Sequence, residues 1–163
     1  MRIQSLVLVF LIGMLTSVAS VAEEPHHHGL NIPADIKPLL TKEMLAVEKG
    51  MQELLSSIAR GDWEKTAAIG KQIQASYIMK QSLTAEQMQQ LHHSFPEEFI
   101  RLDRAFHGYA GMLAHAAKAK NKDIINFYFY KMNESCNQCH SRYAKERFPA
   151  FVDPKEKHSH HKH

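Results

Sequence analysis

Residues 34–63 read ADIKPLLTKEMLAVEKGMQELLSSIARGDW. Ile36, Leu40, Met44, Val47, Met51, Leu54 and Ile58 follow one another at steps of three and four, which is one face of an α-helix. The spacing predicts a helix over 34–59. Gly61 stands where a C-terminal cap needs a left-handed residue, and Asp62 stands where the next helix needs an N-cap. A turn that short predicts two antiparallel neighbours, and so an all-α chain in which each helix buries one stripe against the next.

The rest of the chain repeats this logic. Trp63, Ala67, Gly70, Ile73 and Tyr77 give the seam of a second helix, predicted over 63–80. Thr84-Ala85-Glu86-Gln87 is a capping-box pattern and predicts a short helix over 85–93. Phe99, Leu102, Phe106, Ala110, Leu113 and Ala117 mark a third long helix, opening at Pro96 and broken by Lys120–Asp123. Ile124, Tyr128, Met132, Cys136, Cys139 and Tyr143 share a face of a fourth, predicted over 123–148 and stopped by Pro149. No strand pattern competes. The expected architecture is an antiparallel up-down-up-down four-helix bundle, with a short extra helix between the second and third long ones.

The 163 residues fit one domain. Residues 1–22 have a basic start at Arg2, an apolar stretch from Leu6 to Leu15 and a small-x-small site at Ser20-Val21-Ala22. They read as a secretory signal peptide, since the apolar stretch is half of the roughly 20 residues a membrane span needs. Residues 23–33 read as a flexible lead-in, 34–152 as the folded domain and 153–163 as a His-rich disordered tail. The formal charge of +3 is too mild, and its cations too dispersed, to argue for nucleic acid. Nothing predicts stable membrane insertion of the mature chain. No nucleophile–base pattern or phosphate loop is visible, so the reading is electron transfer or ligand binding rather than catalysis.

The chemistry lies in CNQCH, residues 136–140, which hold both cysteines of the chain. On a helix, residues i, i+3 and i+4 point one way, so Cys136, Cys139 and His140 converge. C-x-x-C-H reads as covalent attachment of a c-type haem, with both thiols as thioethers and His140 as the proximal iron ligand. Two alternatives stand beside it. A thiol–disulfide pair would want a βαβ context and has poor geometry along a helix. A structural zinc site would want a fourth ligand.

A signal peptide, four helices and one CxxCH on the last of them resemble the cytochrome c′ family, which includes low-spin relatives with a methionine ligand. The resemblance spans Ile36 to Phe148 and implies one haem c per chain, held by Cys136 and Cys139 with His140 below the iron. It also implies a periplasmic protein with redox partner proteins, and a homodimer through the first two helices. Tyr143 matches an aromatic often found three residues after the histidine. The basic residue common at the fourth is replaced by Ala144, leaving Arg142 and Lys145 nearby. The resemblance places a first-helix residue over the distal haem face, which points to Met44 as the sixth ligand and to Met51 as the runner-up. Methionine on a helix seam is also ordinary core filler. Met132 falls on the proximal side. His107, about 100° round its helix from the buried face, reads first as a boundary histidine that can pair with Asp103 and second as an iron ligand.

Three functions follow as expectations. A methionine–histidine haem makes an electron carrier. An iron without a distal ligand makes a binder of nitric oxide or carbon monoxide. Without haem, the histidines at 26–28 and 158, 160, 161 and 163 suggest a metal-handling protein.

Overall fold

The computed structural model describes residues 30–76 and 83–152. The predicted signal peptide, most of the lead-in, the end of the second predicted helix and the histidine tail lie outside the described residues. Among the described residues, five α-helices run in the order α1 (Lys37–Ala59), α2 (Trp63–Gln74), α3 (Ala85–Ser94), α4 (Glu97–Lys118) and α5 (Lys122–Tyr143), followed by a 3-10 turn over Pro149–Phe151. Among the described residues there is no strand.

The helix ends follow local chemistry. Gly61 takes φ +70°, a conformation that glycine adopts without a Cβ clash. The Asp62 carboxylate accepts the Lys65 backbone N–H at 3.0 Å and so starts α2. At α3 the capping box is complete: the Gln87 N–H donates to Thr84 Oγ1 at 3.2 Å, and the Thr84 N–H donates to Gln87 Oε1 at 3.1 Å. Asn121 caps α5 through Ile124 N–H.

Two helices end earlier than their patterns predict. α2 stops at Gln74, and Ser76 turns the chain with φ 59°. Its hydroxyl donates to Glu43 Oε1 on α1 at 3.0 Å, so a buried polar contact sets the turn before the apolar pattern runs out. α5 stops at Tyr143 rather than Phe148. Pro149 restricts only the residue before it, whereas the chain leaves the helix a turn sooner, at Ala144.

Pairs between helices give their directions. Glu53–Lys65 and Glu43–Ser76 join α1 to α2 in opposite order along the two helices. Ile73–His107 and Gly70–Ala110 do the same for α2 and α4. Glu98–Arg142 and Tyr109–Tyr128 do so for α4 and α5. Each pair is antiparallel, and the packing order is α1–α2–α4–α5, with no comparable backbone contact between α5 and α1. Gly70 is where α2 presses on α4, since a Cβ there would lie 2.9 Å from the Ala110 carbonyl oxygen.

The core is centred on Leu54, Ile73, Leu113, Ile125 and Met132. Full burial of such side chains stabilises by roughly 1.5–3 kcal/mol each. Ile125 is buried and Ile124 exposed, one residue off the predicted α5 face. The buried ridge of α1 is Ile36, Glu43, Val47, Gly50, Leu54 and Ser57. Met44 is therefore not in the seam as expected: it is 43% exposed. Small and polar residues hold the close contact instead. The Ser57 hydroxyl donates to Leu54 O and lies 2.9 Å from that of Thr66.

Candidate functional site

Cys136, Cys139 and His140 lie together on one half-buried face of α5, as their spacing requires. Met132, one turn before Cys136, is fully buried in the core. Tyr143, one turn after Cys139, is also buried and meets Phe99 of α4 edge-on at 5.4 Å between centroids. These two anchors fix the rotation of α5 and leave the CNQCH face at the margin of the core.

No disulfide joins the cysteines. Burial pushes both thiols up, Cys139 to about 11, where Asp103 and Cys136 add to the burial. A redox-active dithiol needs a lowered thiol pKa, so this environment does not suit one. Burial, then the Arg147 charge, hold His140 below its ordinary value, with Glu48 of α1 opposing. A neutral imidazole presents the lone pair that metal ligation uses. Phe148 lies flat on the His140 ring, with centroids 4.1 Å apart and planes 14° apart.

At about 100° per residue, Met44, Glu48, Met51 and Leu55 form a stripe roughly a quarter turn from the Glu43–Leu54 ridge. The opposite flank carries Glu53, which pairs with Lys65 of α2. Met44 and Leu55 are 43% and 59% exposed, and Met51 packs partly on the core. This stripe, apolar but for Glu48, thus lies a quarter turn from the buried ridge of α1.

This arrangement fits a haem. Two thiols and an imidazole share one half-buried face of α5. Among the described residues no three His, Cys, Asp or Glu side chains converge as a metal cage. A haem anchor asks for less, because its thiols bond to the macrocycle and only one imidazole from this face meets the iron.

The other residues singled out in the sequence are placed as follows. His107 is a boundary histidine: Nδ1 lies 2.6 Å from the Ile73 carbonyl oxygen and Nε2 lies 3.4 Å from Asp103 Oδ1. Both nitrogens are engaged, so it is not positioned to ligate. Arg142 is committed to Glu98 across α4 and α5 and is not a loose cation at the CNQCH face. Sequence reading missed Phe148, which lies outside any periodic pattern. Comparison with protein-family models, curated proteins and solved structures found no match to this chain.

Proposed function

We propose that the chain is an exported c-type cytochrome with one covalent haem, acting as an electron carrier in the periplasm. The observation that carries this reading is the half-buried face of α5 that brings Cys136, Cys139 and His140 together. Among the described residues the four longest helices are α1, α2, α4 and α5, and in this reading they form the bundle that would hold the haem. The antiparallel order of their pairs supports it.

Haem supplies an iron that cycles between ferrous and ferric states. Cys136 and Cys139 would hold the macrocycle by thioether bonds, and His140 would give its imidazole to the iron as the proximal ligand. Met44 is the proposed distal ligand, with Met51 the alternative one turn-pair along the same stripe. Transient redox partner proteins would dock where the haem edge reaches the surface. Export through the N-terminal segment agrees with this chemistry, because c-type haem attachment in bacteria occurs outside the cytoplasm.

One observation favours a second reading, a binder of nitric oxide or carbon monoxide. Met44 is substantially exposed, so packing does not pin its sulfur at one place. An iron that Met44 leaves open would take a diatomic gas. The ferric absorption spectrum of the wild type and of Met44→Ala separates the two. A low-spin spectrum with a far-red sulfur-to-iron band that is lost in the variant supports the carrier. A high-spin wild-type spectrum sinks Met44 ligation and supports gas binding. A low-spin spectrum unchanged in Met44→Ala redirects the assignment to Met51.

A further inference from the structure

The His140 ring is covered on one face by a second ring. Phe148 lies against it at 4.1 Å and 14°, the near-parallel arrangement in which two flat π-systems share their faces. This contact is built by the backbone. The chain leaves α5 at Ala144, whose carbonyl oxygen then accepts from both the Arg147 and the Phe148 N–H at 3.0 Å. Beyond it, Pro149 opens a 3-10 turn in which the Phe151 N–H donates to the Phe148 carbonyl at 3.1 Å. Phe148 is therefore held by bonds on both sides. The Arg147 guanidinium, 5.9 Å from the Phe148 centroid, adds a cation beside the same ring.

A histidine has two side-chain torsions. The helix restricts the first, whereas the second, which turns the imidazole plane, is intrinsically broad. A flat ring on one face removes that freedom. Resting on the haem reading above, we propose that Phe148 is a positioning residue that fixes the plane of the His140 imidazole as the proximal ligand. Phe148 acts through His140 and does not itself meet the iron. Its contribution is preorganisation: the ligand plane is set before the iron is bound.

The plane of an axial imidazole governs how unpaired spin spreads over a ferric haem, so the hyperfine-shifted haem-methyl proton resonances report it. The test uses the full haem-loaded protein and two variants. Phe148→Leu keeps apolar bulk without a flat ring, and Phe148→Tyr keeps the ring. The expected result is a changed order or spread of the haem-methyl resonances in Phe148→Leu, the wild-type pattern in Phe148→Tyr, and equal haem content in all three. A wild-type pattern in Phe148→Leu overturns the proposal, as does a shift in Phe148→Tyr as large as that in Phe148→Leu. In the wild type alone, nuclear Overhauser contacts between the Phe148 and His140 rings are expected, and their absence overturns the proposal whether or not a variant folds. A wild-type protein that carries no covalent haem overturns the haem reading and this proposal together. A loaded protein with an indifferent Phe148 overturns only the positioning role.

Discussion

Glu43 and Met44 are consecutive, yet Glu43 is 1% exposed and Met44 is 43% exposed. The quarter turn between them divides the work of α1. Glu43 faces inward and accepts the Ser76 hydroxyl, tying α1 to the end of α2. Met44 begins the exposed stripe a quarter turn away. One helix thus has two functional faces, one that makes the fold and one that the proposed cofactor would cover.

The Glu43–Ser76 contact is expected to matter for stability. Ser76→Ala removes a buried hydrogen bond to a carboxylate, worth about 1.5–3 kcal/mol. Urea unfolding followed by far-UV circular dichroism should show a lowered midpoint with an unchanged slope. Stability equal to wild type would mean that the contact has no net value.

Gly70 is expected to resist enlargement. An added Cβ would meet the Ala110 carbonyl oxygen at 2.9 Å and the Ala114 Cβ at 3.1 Å. The backbone oxygen cannot step aside as a side chain can. Overpacking of about 1–3 kcal/mol should outweigh the roughly 1 kcal/mol of helix propensity that alanine gains over glycine. Thermal unfolding of Gly70→Ala should fall below wild type, and a rise would show that α2 and α4 separate easily.

His107 is expected to make stability depend on pH. Burial alone would lower its pKa, but Asp103, the Ile73 carbonyl and the Glu43 charge together raise it above the ordinary 6.5. A raised pKa in the fold stabilises fully below the unfolded value and is lost as pH rises through the folded one. Unfolding free energy should therefore fall as pH climbs from below 6.5 through the raised folded value. His107→Gln should flatten that part of the profile. An identical slope in the variant would assign the dependence to another group.

The paired substitution Cys136→Ala with Cys139→Ala separates fold from chemistry. The cysteines flank the core without belonging to its centre, so far-UV circular dichroism should keep its helical form. Covalent haem should be absent. His140→Ala alone should retain haem through the thioethers and lose the proximal-imidazole spectrum. A His140→Ala spectrum identical to wild type would remove His140 from the site.

Much of the fold is legible in the residues, because its signals are local. Thr84 and Gln87 declare a capping box within four positions, Gly61 and Asp62 declare a turn within two, and the Phe99–Ala117 face follows apolar spacing alone. The convergence of Cys136, Cys139 and His140 needs only the helical repeat. What stays hidden depends on partners far along the chain. Glu43 is inside because Ser76 meets it, and Gly50 and Ser57 are inside because α1 needs small residues at close contact. Apolar spacing therefore blended the packed ridge of α1 with the stripe that holds Met44. The early end of α5 is hidden for a similar reason: Phe148 finds its partner eight residues back, on His140, only after the chain has turned. Whether α1 and α5 close around a cofactor cannot be read from spacing, since the expected occupant is not made of amino acids.

The most direct test of the central claim is the intact mass of the denatured chain, purified after expression in a host with c-type haem maturation, together with haem staining of a denaturing gel. The account predicts a chain that retains one haem after denaturation, with the added mass confined to the peptide that contains Cys136 and Cys139. A colourless chain of unmodified mass, with both thiols free to alkylate, would contradict it.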